Sequence, residues 1–161
     1  MIARLMFAMV NFAARKGLTE PLPADSAQTD SRLQARRTGV RGETYAYWYL
    51  RRHHYVMVAR NYIAPGLKGE IDMVGYDGPV LVFVEVKTRA ATRADLPRPE
   101  EAVNAEKEYH LARMAGQFLC ARKLDGVPHR FDVIAIETRR GARPVLRLHK
   151  GAFTSGQQGS R

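Results

Sequence analysis

The sequence has one cysteine, no long apolar run and no internal repeat, and each absence excludes a class of protein. With Cys120 alone, no intramolecular disulfide can form, which suits a reducing cytoplasm. No segment approaches the roughly 20 apolar residues that cross a bilayer. Helix-turn-helix, zinc-finger and RNA-recognition motifs are also missing. We therefore expect a soluble, cytoplasmic protein without a membrane partner, whose nucleic-acid preference, if it has one, concerns structure and not base sequence.

The chain also has few acidic residues relative to basic ones. It has 16 Asp and Glu residues against 26 Lys and Arg residues, which gives a formal net charge of +10 at pH 7. Scattered surface cations could produce this balance without any partner, but clustered ones bind phosphate backbones without reading sequence. Around the second and third predicted strands, the candidate phosphate contacts are Lys68, Arg89, Arg93 and Arg98, and the following helix adds Lys107. Lys107 could equally extend its charged end to solvent from an apolar helix stripe.

The run from Val80 to Val84 predicts a strand that is covered on both faces. Even-numbered and odd-numbered residues point to opposite faces of a strand, and all of them are apolar here. This strand ends in Glu85 and, two residues later, Lys87. Burying an unpaired charge costs several kcal/mol, so each of these side chains needs a partner, a metal ion or water. A cross-strand salt bridge on a solvated face is the simplest explanation for a Glu-x-Lys considered alone.

A second acid changes that interpretation. Residues 77–79, Asp-Gly-Pro, predict the turn between two antiparallel strands at about 69–76 and 80–88. If Asp77 pairs with Val80, Asp72 lies directly opposite Glu85; a register shifted by one residue would put it on the other face. Two carboxylates about 5 Å apart at their β-carbons repel unless a cation lies between them. This pairing predicts a divalent metal site.

A third acid, Glu43, falls on the inner stripe of a helix predicted from about Val40 to His53, together with Ala46 and Leu50. Ligands that are all oxygen favour a hard cation such as Mg²⁺ or Mn²⁺.

Glu43, Asp72, Glu85 and Lys87 resemble the constellation of the PD-(D/E)XK nuclease superfamily, although Ile71 stands where the superfamily name has proline. More closely, the chain resembles the YraN-like family of predicted endonucleases from about Gly39 to Leu148. The segments that carry this resemblance are Gly42-Glu43, Arg60-Asn61-Tyr62, Gly69-Glu70-Ile71-Asp72, the run from Val82 to Arg89, and Arg130-Phe131-Asp132. The resemblance implies a metal-dependent, restriction-endonuclease-like fold related to Holliday junction resolvases.

Hydrolysis of a phosphodiester gives these residues distinct roles. Asp72 and Glu85, with the carbonyl of Val86, would hold one or two metal ions, and Glu43 would bind a second metal or an outer water. Lys87 would hold the attacking water and the charge that develops on the phosphate. We expect an enzyme that acts on DNA in repair, recombination or uptake, and chemistry on two strands would favour a homodimer. The alternatives are a basic DNA- or RNA-binding accessory protein that keeps the fold, and a protein-protein adaptor.

The predicted domain occupies residues 39–153, after a flexible or amphipathic extension at 1–38 and before a disordered tail at 154–161. Its elements run αβββαβ with a final edge strand, which predicts an α/β sandwich with a mixed sheet flanked by helices. Asp132 begins the strand at about 129–137, at the end of the sheet away from Glu85. We therefore expect Asp132 to be structural and paired with an arginine such as Arg130.

Overall fold

The computed structural model describes residues 2–15, 29–90, 105–138 and 142–153, which form three helices and five strands of an α/β fold. Residues 16–28 of the predicted extension and the whole of the predicted tail lie outside these residues. No helix in the described ranges combines the length and the apolar character needed to span a membrane. The elements are α1 (Ile2–Arg15), α2 (Thr29–Arg52), β1 (Val56–Tyr62), β2 (Ile71–Asp77), β3 (Val80–Ala90), α3 (Ala105–Ala121), β4 (His129–Thr138) and β5 (Val145–Phe153).

The sheet has the strand order β1-β2-β3-β4-β5, which puts β5 at an edge as predicted. Strands β1, β2 and β3 are antiparallel neighbours. The start of β4 lies beside the start of β3, where the Leu81 amide donates to the Pro128 carbonyl at 2.9 Å. A strand that returns through a helix to begin at the same end of its neighbour is parallel to it. The predicted mixed sheet is confirmed.

The hairpin of β2 and β3 closes through Gly78 and Pro79 alone, because Asp77 pairs with Val80. Gly78 has a φ of 60°, a left-handed conformation that glycine adopts without the steric cost of a side chain. The ladder runs from this turn to the pair Met73 and Val84 with no shift. This is the register that the sequence predicts.

The chain divides into two compact units. The first contains the described residues among 1–54, 86–96 and 135–147. In it, Phe7 of α1 is buried against Tyr45 of α2, with ring centroids 5.1 Å apart. Helix α2 begins at Thr29, well before the predicted start near Val40. Residues 29–38 have no clear apolar period, but Leu33, Gln34, Ala35 and Arg36 are good helix formers.

The second unit contains the described residues among 55–85, 97–134 and 148–161. Its core joins α3 to one face of β2 and β3, with Leu111, Met114 and Phe118 of that helix buried. Phe83 lies at the centre, edge-on to Phe118 at 5.6 Å and stacked on Phe131 at 5.5 Å between ring centroids. Val82 and Val84 on the opposite face of β3 are also buried, which confirms a strand covered on both sides.

Candidate functional site

Glu85 is one of two buried charged side chains among the described residues; it is 4% exposed. Alternation along β3 puts it on the same face as Leu81 and Phe83, both of which belong to the core beneath α3. The strand therefore carries a carboxylate to the end of an apolar layer.

Asp72 lies in β2, the strand next to β3. The regular ladder ends at the pair of Met73 with Val84, and Asp72 and Glu85 are the next residues of the two strands. A continued register would set these two acids opposite each other on one face, as the sequence predicts. Asp72 is half-buried.

Lys107 of α3 supplies a cation for Glu85, with Nζ 3.4 Å from Oε1. The lysine side chain is 36% exposed, whereas Glu85 is almost enclosed. A buried carboxylate beside an ammonium group avoids much of the cost of an isolated buried charge. Sequence reasoning placed Lys107 on the inner stripe of α3 but did not predict this ion pair. A lysine between apolar positions of a core helix was the signal that could have identified it.

The first unit contains the remaining predicted ligands and the predicted catalytic lysine: Glu43, Val86 and Lys87, all half-buried. Glu43 follows Gly42, which lies against Thr88 of β3. A β-carbon at Gly42 would be 1.8 Å from the Thr88 hydroxyl oxygen and 3.0 Å from its Cβ. Only glycine permits this approach of α2 to β3, which explains the Gly-Glu pair in physical terms.

Two of the predicted phosphate contacts, Lys68 and Arg89, are exposed to solvent. Arg93 and Arg98 lie outside the described residues. Lys107 is held at Glu85 in this structure but retains enough exposure to reach a ligand from solvent.

The donor types fit a hard divalent cation. Within residues 2–15, 29–90, 105–138 and 142–153, no group of three or more His, Cys, Asp or Glu side chains is arranged to hold a metal ion. Magnesium does not require such a group, because it is commonly bound through one or two carboxylates, waters and substrate phosphate. Asp72 and Glu85 are the two carboxylates that adjoin the last regular pair of the hairpin, and the ammonium group beside Glu85 indicates that a positive charge is favoured there.

At the turn end of the same hairpin, a second group of charges has a different character. We call Asp77, Arg130, Asp132 and Lys150 the arginine cluster. Arg130 donates to both oxygens of Asp132 at 2.9 and 3.1 Å and to Asp77 at 2.6 Å. Asp132, 1% exposed, also accepts the Gly151 amide at 2.9 Å. The predicted pairing of Asp132 with Arg130 is confirmed.

The arginine cluster shifts the acidity of its members. Hydrogen bonds from Lys150 and Arg130 lower the pKa of Asp77 from 3.8 to about 2. The hydrogen bond to Asp132 raises the already high pKa of Arg130, and that to Asp77 raises the pKa of Lys150. Burial raises the pKa of the neighbouring Tyr55 phenol. The charges of Asp77, Arg130 and Lys150 therefore persist at neutral pH, and their mutual hydrogen bonds are typical of a structural cluster.

Comparison with known proteins shows which family the chain resembles. The model of the uncharacterised protein family UPF0102 matches residues 42–136, a segment that contains Glu43, Asp72, Glu85 and Lys87 but not α1. A UPF0102 protein of Koribacter versatilis is 41% identical over 119 residues, which cover 73% of this chain and 79% of the relative. One from Symbiobacterium thermophilum is 42% identical over 119 residues, 74% of this chain and 98% of the relative. One from Geobacter sulfurreducens is 44% identical over 115 residues, 71% and 87% of the two chains.

Proposed function

The chain belongs to the UPF0102 family, and from that membership and the geometry of β2 and β3 we propose that it is a metal-dependent nuclease that hydrolyses DNA phosphodiester bonds. The proposal depends most on one observation. Glu85, the residue after the last regular pair of the hairpin, is a buried carboxylate with an ammonium group 3.4 Å away, and Asp72 is the corresponding next residue of β2.

A buried carboxylate with no function would be an expensive substitute for an apolar residue at this position. Leu81 and Phe83 occupy the two preceding positions on the same face and are at most 1% exposed. Replacing a buried ion pair by apolar groups is often neutral or stabilising. The acid is therefore better explained by chemistry than by stability, which supports a catalytic or ligand-binding role.

Asp72 and Glu85 would hold Mg²⁺ or Mn²⁺, with the carbonyl of Val86, the residue after Glu85, as a further oxygen donor. When bound, such an ion makes water a better nucleophile and neutralises charge that grows on the phosphate. Lys87, two residues beyond Glu85 in β3, would hold the attacking water and stabilise the developing negative charge. In the presence of a metal ion, Lys107 would release Glu85 and bind a phosphate oxygen.

The substrate class follows from charge. A net charge of +10 and the exposed side chains of Lys68 and Arg89 favour a polyanion with a regular phosphate backbone. Such contacts confer affinity without base readout, so selectivity would come from the shape of the DNA, such as junctions, flaps or single strands.

The test is cleavage of a panel of branched, single-stranded and duplex DNA with Mg²⁺, Mn²⁺ or a chelator. Asp72→Asn and Glu85→Gln should each reduce cleavage by about 10²-fold or more, because each removes a charge from the reacting site. Their DNA affinity at matched salt should be retained. Glu106→Gln is a matched control, since it removes the same charge from a side chain that is 81% exposed on α3. Metal-dependent cleavage that survives both site substitutions would contradict the proposal.

The net charge alone favours a second candidate, a nucleic-acid-binding accessory protein that keeps the fold and does not cleave. In that case, DNA would bind with a strong dependence on salt, and no metal would yield a product from any member of the panel. The Asp72 and Glu85 substitutions would then leave affinity the same or tighten it, because they remove negative charge.

A further inference from the structure

Helix α1 presents an apolar stripe to solvent. Ile2, Leu5, Met9 and Phe12 are each more than half exposed. At 100° per residue they fall within one quadrant of the helix, at spacings of three and four. Exposed apolar side chains that occur singly need no explanation, but four on one stripe of a 14-residue helix mark an interaction surface. We call these four residues the α1 stripe.

The contact between α1 and α2 buries only the side of α1 that is opposite to the α1 stripe. Phe7 is 8% exposed and packs against Tyr45 and Tyr49, while the guanidinium of Arg52 lies 5.3 Å from the centre of its ring. Asn11 accepts a hydrogen bond from the Tyr45 hydroxyl at 3.4 Å. Phe7 lies across the helix from the α1 stripe, so docking on α2 turns the stripe outward.

The α1 stripe is not part of the family's common fold. The family segment begins at residue 42 and ends at residue 136. Helix α1 ends at Arg15, well before this segment begins. The helix therefore lies outside the segment that defines the family, and its exposed face needs its own explanation.

Charge indicates what covers the α1 stripe. Residues 1–19 contain Arg4, Arg15 and Lys16 and no acidic residue. A second copy of the chain would bring these like charges together, and both copies have a net charge of +10. An anionic bilayer complements both properties, since its headgroups attract the cations and its acyl boundary accepts the apolar side chains.

We propose that α1 is a peripheral membrane anchor that inserts the α1 stripe into the surface of an anionic bilayer while Phe7 keeps the helix docked on α2. This inference goes beyond the proposed nuclease function and does not depend on it. It replaces the expectation, made from sequence, that the protein has no membrane partner.

Flotation of the full-length protein with vesicles tests this anchor. We expect binding to vesicles of equal parts phosphatidylcholine and phosphatidylserine, at least tenfold weaker binding to phosphatidylcholine alone, and weakening by salt. The double variant Leu5→Ser with Met9→Ser should lose at least tenfold in binding to the anionic vesicles. Its matched control is Val56→Ser with Ile63→Ser, which removes two similarly exposed apolar side chains from the second unit.

A second variant keeps the outcome interpretable. Arg4→Glu leaves the α1 stripe intact and should still weaken binding to anionic vesicles, whereas binding of the uncharged stripe variant to DNA should equal that of the wild type. Equal flotation of the wild type and the stripe variant would overturn the proposal. So would a wild-type dimer that the stripe variant converts to a monomer, because a second copy would then be the occupant.

Discussion

Strand β2 has an acid near each end, and the two ends differ in how their charges are held. At the turn end, Asp77 accepts hydrogen bonds from Arg130 at 2.6 Å and Lys150 at 2.7 Å. At the other end, Asp72 adjoins the last regular pair of the hairpin, and Glu85 forms an ion pair with Lys107 at 3.4 Å. One hairpin therefore carries a group of charges joined by short arginine and lysine hydrogen bonds and a group with a longer lysine ion pair.

The choice of cation explains the difference. Arg130 is a rigid fork that holds both oxygens of Asp132 and reaches Asp77 as well. Lys107 is a point charge on a flexible stem and lacks the fixed fork of a guanidinium. We infer that the arginine cluster serves stability and that the Asp72–Glu85 end serves a ligand. Substitutions should therefore affect free energy of unfolding at one end and activity at the other.

The largest loss of stability is expected from Asp132→Ala. The substitution removes the acceptor of two Arg130 bonds and of the Gly151 amide at a position with 1% exposure. Breaking a buried ion pair from one side costs about 3–5 kcal/mol. Urea unfolding of the variant and of Glu106→Ala as a surface control measures this cost. A loss below about 1 kcal/mol would remove the basis for calling the cluster structural.

Gly42→Ala should cost about 1–3 kcal/mol, because the new methyl group would overlap Thr88 and force α2 from β3. Thr88→Ala removes the hydroxyl that is 1.8 Å from the added carbon and should recover part of the loss in the double variant. A double-mutant cycle by urea unfolding gives the coupling energy. Additive losses would show that the cost of Gly42→Ala arises elsewhere. Gly42 lies beside Glu43 in the sequence, but its substitution should change the free energy of unfolding through packing and not through a ligand site.

These expectations also show what the sequence could predict. The hairpin and its register followed from Asp77-Gly78-Pro79 and a two-sided apolar run, because a short turn determines every pair in the ladder. The start of α2 did not follow, because residues 29–38 form a helix through propensity and lack an apolar stripe. The Glu85–Lys107 and Asp77–Lys150 pairs depend on how distant segments dock, and no local pattern encodes that.

Acid should weaken the arginine cluster by about 1 kcal/mol. The folded pKa of Asp77, about 2, lies below its ordinary value of 3.8. A depressed carboxyl pKa gives stability that is complete above about pH 4 and is lost as pH falls toward 2. The full shift would correspond to more, but the partly exposed side chain reduces it through solvent screening.

Free energies of unfolding for wild type and Asp77→Asn between pH 7 and pH 2 measure this linkage. The difference between the two proteins should shrink as the pH falls. A constant difference would mean that the Asp77 charge makes no contribution.

The smallest effect on stability is expected from Glu85→Gln, with a change below about 1 kcal/mol or a gain. The amide keeps the shape of the side chain and no longer requires a cation, and Lys107 is exposed enough to be solvated. Thermal unfolding of this variant and of Asp132→Asn compares equivalent acid-to-amide changes at the two ends of the hairpin. Equal destabilisation by both changes would contradict the inference that only the arginine cluster serves stability.

The closed turn at Gly78 and Pro79 has an evolutionary consequence. Exposed loop tips normally tolerate insertions and deletions. Here one added residue would shift the pairing and send one of the two acids to the wrong side, several residue pairs from the site of the insertion. Among homologues that retain both acids, the interval of thirteen positions from Asp72 to Glu85 should not vary in length, even where the identities of the turn residues do.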